Sequence, residues 1–216
     1  GQSYTVSMLD DNKIWMTQSL KLNINDANTT INASNTNKPT SRFLELIAGK
    51  PSSKNGSSWW CKRDYPDCTD QILFNSDNVS NGYIYYNYYT ATAGNIDFLN
   101  QYSKEESAKG DICPAGWRLP KYSEAKYLLD IVVDSRNYDY IRNNFQLSGY
   151  YRNGGIAYAS SSIDPRGYYW TSDSYTSASY GDTSGYYGND AYAFALTAGS
   201  SVYMTPIKKY DGVPVR

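Results

Sequence analysis

The sequence contains no histidine. That absence removes the side chain that titrates nearest neutral pH, the Ser-His and Cys-His nucleophile pairs, and the commonest metal ligand, so most familiar hydrolase chemistries are excluded. Cysteine is scarce: Cys61, Cys68 and Cys113 are the three present, at spacings that fit no zinc pattern. Positive charge is spread thin, with 20 Lys and Arg against 21 Asp and Glu and a formal net charge of -1. No stretch gathers cations into a face that would neutralise a phosphate backbone, which argues against a nucleic-acid partner. No apolar run approaches the roughly 20 residues that cross a bilayer, and no charged-then-apolar leader opens the chain, so membrane insertion by this segment is not expected. The start at Gly1-Gln2 reads as processed, which leaves a removed signal or anchor open.

What the sequence has in abundance is tyrosine, 24 of 216 residues, in a chain that is 16 % aromatic overall. Mean hydropathy is nevertheless -0.64. Amphipathic rings of this kind serve contact surfaces as well as cores. The length is that of one large domain, and we expect a single one over residues 1–216.

Two short alternating runs, Tyr4 to Met8 and Lys13 to Met16, joined at Asp10-Asp11-Asn12, predict a hairpin. Residues 23–40 are almost entirely Asn, Thr, Ser, Asp and Ala and read as a surface loop. Ser41 is placed to cap a short helix over Phe43, Leu44 and Ile47, and Tyr83 to Thr90 has the β propensity of a strand. Ser103 with Glu106 suggests a capping box, with Gly110 ending that turn. The clearest helix follows Pro120, where Ala125, Leu128, Leu129 and Val132 recur at helical spacing. A second helix should turn Tyr138, Ile141 and Phe145 inward. Ala191 to Leu196 alternates small with large and predicts a strand with one packed face; Ser201 to Thr205 and Val213 to Val215 predict two more. Thr171 to Asn189 reads as a long loop, and a loop of that length in a compact domain is usually functional. Cys61 and Cys68 close a short loop, so a local disulfide between them stands beside the alternative of three buried free thiols.

Half of the tyrosines, 12 of 24, lie between Tyr150 and Tyr210, and no lysine or arginine occurs from Gly167 to Ile207. Tyrosine presents a large rigid surface with few torsions to freeze, while Ser, Gly and Asn supply adaptable polar contacts, the combination that paratopes use. The candidate contact residues are therefore Asp173, Ser174, Tyr175, Ser177, Ser179, Tyr180, Asp182, Tyr186, Tyr187, Asn189, Tyr192, Ser201 and Tyr203. Against each tyrosine stands the plainer reading that it packs its own loop, above all for Tyr192, which shares a strand face with Phe194 and Leu196. Trp117, Trp170 and Gly212 are expected to be scaffold, the tryptophans as core pillars and the glycine in a turn, with Arg216 alongside them. Arg118 in Trp117-Arg118-Leu119-Pro120 is a candidate for function, but an arginine after a buried tryptophan more often makes a structural salt bridge, and that is the expectation.

Three motifs run in order: Asp111-Ile112-Cys113-Pro114-Ala115-Gly116-Trp117-Arg118-Leu119-Pro120, then Tyr168-Tyr169-Trp170-Thr171-Ser172, then Lys209-Tyr210-Asp211-Gly212-Val213-Pro214-Val215-Arg216. With Asp11 to Leu20 and Tyr85 to Gly94 before them, they resemble the Fibrobacter succinogenes major paralogous domain, a bacterial and archaeal family similar to the C-type lectin fold. The resemblance implies an α+β, C-type-lectin-like fold of short antiparallel strands, two or more helices and long loops. Several members of the family are similar to variable proteins of diversity-generating retroelements, in which template adenines are mutagenised and the copied segment lies near the C-terminus. Mutable Asn codons become Tyr, Ser, Asp or Gly, the residues that crowd 168–203 here. The family commonly places a cysteine after the last Val-Arg, a partner for the one that matches Cys113; the sequence here ends at Arg216, which leaves Cys113 without it or the sequence a residue or more short. Gly212-Val213 also stands where the family has Gly-Phe.

The expected function is therefore recognition of a protein or glycan target by a diversified surface displayed on a cell or virion, without catalysis, cofactor or metal. No Glu-Pro-Asn or Gln-Pro-Asp triplet is present, and Trp170-Thr171-Ser172-Asp173 lacks the Trp-Asn-Asp ligands of calcium-dependent lectins. The alternatives are a fixed surface adhesin or structural cell-surface module, and, further off, a glycan-active enzyme using an acidic pair. The formylglycine-generating branch of the fold needs a catalytic cysteine pair that Cys113 beside a loop pair does not supply.

Overall fold

The computed structural model describes residues 3–22, 30–41, 43–45, 83–95, 107–152, 155–158, 163–175, 190–199, 201–209 and 211–216. Short antiparallel strands with a few helices make it a mixed α+β architecture. The expected hairpin is present as β1 (Val6–Met8) and β2 (Ile14–Met16), in register Val6↔Met16, Ser7↔Trp15 and Met8↔Ile14. Its turn is closed by Asp11, whose Oδ1 accepts from the Lys13 N–H at 3.1 Å. The same carboxylate accepts from Trp15 Nε1 and holds that ring inward. A two-residue strand β3 (Thr36–Asn37) pairs with β4 (Asp111–Pro114), so the polar stretch read as loop contributes a strand. Gly110 permits this approach, since a Cβ there would lie 2.4 Å from the Lys38 carbonyl oxygen; Ser103 and Glu106, the capping box expected before it, lie outside the described residues.

Two other local expectations shift. The turn at 43–45 is helical, but the capping hydroxyl belongs to Thr40, whose Oγ1 accepts from the Phe43 N–H at 3.1 Å, and not to Ser41. The tyrosine run does not continue as a strand to Thr90. It is extended only through the bridge at Tyr86 and then turns into α1 (Tyr88–Ala91). Asn87 makes the break, its Oδ1 accepting from the Thr90 N–H at 2.8 Å. A competing side-chain cap outweighs β propensity here, and the reversal buries Tyr85, Tyr86, Tyr88 and Tyr89 together.

The helix after Pro120 forms as expected, α2 (Tyr122–Ser135), with Ala125, Leu128, Leu129 and Val132 all buried. It is followed by α3 (Tyr138–Asn144), which buries Ile141 and is terminated at the buried Phe145. A small hairpin of β5 (Tyr150–Arg152) and β6 (Gly155–Ala157) leads to the principal sheet. That sheet has three antiparallel strands in order β7 (Arg166–Tyr175), β8 (Asp190–Thr197) and β9 (Val202–Lys208). Strand β7 runs through Thr171 to Tyr175, residues expected to belong to a loop. The Val213 to Val215 strand does not form; Val213 makes an isolated bridge with Tyr86.

The expectation of one packed face on Ala191 to Leu196 is also corrected, because both faces are covered. Ala191, Ala193 and Ala195 face a core with Trp170, Tyr88, Tyr86, Phe43 and Ile112. Phe194 and Leu196 face a second core with α2, α3, Leu9 and Trp15. The alternation records a difference in room: the alanines leave space for the Trp170 indole, which stacks edge-on against Tyr88 at 5.2 Å, while Phe194 meets Phe145 edge-on at 5.2 Å.

The segment 111–120 is organised by one buried carboxylate. Asp111 accepts from the N–H of Cys113 at 2.9 Å, the N–H of Leu119 at 3.0 Å and Asn37 Nδ2 at 3.3 Å. Burial raises its pKa despite these bonds. Cys113 is a buried free thiol whose pKa burial raises well above the usual value. The Cys61 and Cys68 pair lies outside the described residues.

Candidate functional site

Residues 176–189, and with them Ser177, Ser179, Tyr180, Asp182, Tyr186, Tyr187 and Asn189, lie outside the described residues. The remaining candidates divide between two ends of the principal sheet. Asp173, Ser174, Tyr175 and Tyr192 sit where β7 leaves and β8 enters, Tyr175 pairing with Asp190. Ser201 and Tyr203 belong to the β8–β9 hairpin at the other end, Tyr203 pairing with Ala195. Seven strand steps separate Asp190 from Thr197, roughly 23 Å at about 3.3 Å each. The set is therefore not one contiguous surface among the described residues.

At the first end, three rings form a cluster. Tyr192 lies 4.3 Å from Tyr122 and 5.0 Å from Tyr175, centroid to centroid. All three are half-buried. Tyr122 is the first residue of α2, Tyr175 ends β7, and Tyr192 stands on β8, so the cluster is carried by three regular elements. Tyr192 points to the face of Phe194 and Leu196, and its ring is both packed and partly accessible. Tyr122 was not among the sequence candidates; its signal was its place in the first turn of the helix after Pro120, which only the tertiary pairing turns toward Tyr192.

Two candidates at this end have structural work instead. Between Trp170↔Ala193 and Ser174↔Ala191, β7 carries a bulge of extra residues. The bulge sends Asp173 to the start of α2, where Oδ2 accepts from the Tyr122 N–H at 2.7 Å and Oδ1 from Ser107 Oγ at 2.7 Å. The helix is thus capped from another strand; Lys121 at its N-cap position supplies no such oxygen, and Glu124 accepts from the Lys121 N–H at 2.9 Å. Ser174 is 1 % exposed, so it lies beneath the surface and not on it.

Below the rings lies a poorly satisfied polar layer. Tyr88 Oη and Ser174 Oγ are buried as neighbours with no other hydrogen-bond partner, and Asp211 Oδ1 is buried without one. Burial pushes the Asp211 carboxyl up to about 7, with Asp190 adding repulsion and Arg152 and Lys208 opposing. Asp190 Oδ1 lies 2.8 Å from Lys208 Nζ in an ion pair.

At the far end Tyr203 Oη accepts from Arg166 Nη1 at 3.0 Å, and the Arg166 guanidinium lies 4.4 Å over Tyr158. Tyr150 and Tyr168 complete that group, their rings 5.0 Å apart.

The scaffold residues also separate. Trp170 is fully buried and donates from Nε1 to the Tyr86 carbonyl at 2.7 Å. Trp117 is only half-buried, because it packs against the core from its edge and lines an outer cleft. Gly212 is held in extended pairing, exchanging backbone bonds with Tyr151 at 2.7 and 2.9 Å, where a turn was expected. Arg216 is buried between Tyr169 and Phe145 and donates to Ser19 Oγ and the Thr17 and Asn144 carbonyls. Arg118 makes the expected salt bridge, with Glu124 at 2.7 Å.

Among the described residues no group of three or more His, Cys, Asp or Glu is arranged to hold a metal ion. No helix among them is long and apolar enough to cross a membrane. Comparison with family models, with curated proteins and with solved structures finds no match to this chain.

Proposed function

We propose that the protein is a binding protein that recognises a protein or glycan target through the end of the β7–β8 pair, with Tyr122, Tyr175 and Tyr192 flanking the segment 176–189. The observation that carries this reading is the three-ring cluster itself, half-exposed and mounted on two strands and a helix. Rings held this way lose little entropy on binding, and each offers an apolar face with a polar rim. The tyrosine- and serine-rich composition of 176–189, which follows Tyr175 in the sequence, is of the kind that supplies adaptable contacts.

The finer reading is a C-type-lectin-like domain displaying a segment diversified by a retroelement. It rests on the motif resemblance. In that reading the diversified positions are Tyr175, Tyr192 and 176–189, whereas Asp173 and Ser174 stay fixed. A second reading, a fixed adhesin whose tyrosines mainly pack, is favoured by the close, tilted packing of Tyr192 against Tyr122.

Glycan and cell-surface protein arrays probed with the wild type and with Tyr175→Ala and Tyr192→Ala test the binding site. Loss of signal by about tenfold or more in the variants is the expected result; array ligands bound equally by all three place recognition elsewhere. Sister sequences decide diversification separately. Substitutions spread evenly along the chain, with no near-copy of the segment beside a reverse-transcriptase gene, leave the fixed adhesin as the answer.

A further inference from the structure

A cleft of about 340 Å³ opens between the β1–β2 hairpin, the 116–120 segment and the start of α2. Its apolar wall is formed by Ile14, Met16 and Trp117, and three cations line it, Lys13, Arg118 and Arg216. Among the described residues, Glu124 is the one carboxylate in the lining. Its charge is already committed, accepting two bonds from Arg118 at 2.7 and 2.8 Å and one from Lys13 at 3.0 Å. That pairing holds its carboxyl down at about 2. Three cations against one carboxylate leave an excess of positive charge at the cleft of a protein whose formal net charge is -1.

Arg216 makes the imbalance sharper. Its guanidinium belongs to a residue only 5 % exposed, its named partners are neutral oxygens and rings, and its Nη2 has no partner. Burial lowers its pKa. A buried charge without a counter-charge is costly, and a nearby anion relieves that cost.

The hairpin face that carries Ile14 and Met16 continues beyond the cleft as an apolar strip. Met8 is 66 % and Ile14 58 % exposed, and they are cross-strand partners on one face of the hairpin. Val6, 44 % exposed, continues the strip opposite Met16. Apolar side chains left in water beside a positive cleft fit a ligand with both properties, and the volume lies at the lower end of small-molecule sites.

We propose that this cleft binds a small organic anion with an apolar body, of the aliphatic or aromatic carboxylic acid class. Its acid group pairs with Lys13 and Arg118, and its body lies against Ile14, Met16 and Trp117. The site lies apart from the tyrosine cluster and does not depend on the reading of that surface.

The test is titration of the whole chain with octanoate, followed by the Trp117 indole N–H resonance, which Trp117→Phe assigns by its disappearance. Octanamide serves as the uncharged isostere. A saturable shift with octanoate at millimolar or lower concentration is expected, weakened about three- to tenfold by Lys13→Gln and by raising salt to about 0.5 M. Lys126→Gln, which removes an exposed charge of α2 outside the cleft, leaves binding unchanged. The proposal is overturned by octanamide binding as tightly as octanoate, by Lys126→Gln weakening binding as much as Lys13→Gln, or by no indole shift up to about 10 mM of acid, a range well above typical small-molecule dissociation constants.

Discussion

Asp211 is 2 % exposed, has one carboxylate oxygen without a partner, and faces Arg152 only at 3.8 Å. Replacement by Asn keeps the shape and removes the charge. Burial holds the folded-state pKa at about 7 against a reference of 3.8. Below pH 3.8 both states carry the proton and the site is neutral in its effect. As pH rises toward 7 the unfolded chain releases the proton while the folded chain keeps it, so wild-type stability falls across that window and levels off above it. The full shift corresponds to on the order of 4 kcal/mol at about 1.36 kcal/mol per pH unit. The Arg152 side chain is 46 % exposed, so its compensation is screened. We therefore expect Asp211→Asn to stabilise the protein by about 1–3 kcal/mol at pH 8 and by about half as much at pH 5.5. Urea denaturation of both proteins at the two pH values, with unchanged m-values, measures it. A variant less stable than wild type at pH 8 would show that the ionised carboxylate is a net favourable partner of Arg152, and would refute the reasoning.

Two further outcomes follow from the buried polar groups. Asp173→Ala should cost about 1–2 kcal/mol by removing the cap on α2, whereas Ser174→Ala, which deletes a hydroxyl whose neighbour is the buried Tyr88 hydroxyl, should cost less, about 1 kcal/mol or under; thermal melts compare them. Cys113 should resist a thiol reagent at pH 8 in the folded protein and react only at the unfolding rate, because burial and the adjacent Asp111 disfavour the thiolate; rapid labelling without denaturant would contradict this.

The parts that were legible in the sequence are those fixed by near neighbours. The 3.6-residue recurrence of Ala125, Leu128, Leu129 and Val132 is a property of one helix, and the Lys13 to Met16 alternation around a polar turn is a property of one hairpin. Where local signals compete, the sequence misleads. Tyrosines 83 to 89 favour a strand until the Asn87 side chain captures a backbone N–H and turns the chain. Thr171 to Tyr175 have loop composition, yet the strand resumes after the bulge and Ser174 and Tyr175 pair with Ala191 and Asp190 of β8.

The candidate site shows the same division. Composition marked the tyrosine-rich end of the chain, since residue type is local information. Which of those residues reach a surface was decided by contacts across 51 positions, as between Asp173 and Tyr122. It was decided also by the double-sided burial of β8, which left Tyr192 at the edge beside Tyr122 and Tyr175. The cationic cleft had no sequence signature at all, because Lys13, Arg118 and Arg216 are brought together only when the hairpin and the last residues meet α2. Charge type and periodicity are written along the chain; the balance of charge at a point in space is set by folding, since Coulomb interactions depend on distance through the fold and not along the sequence.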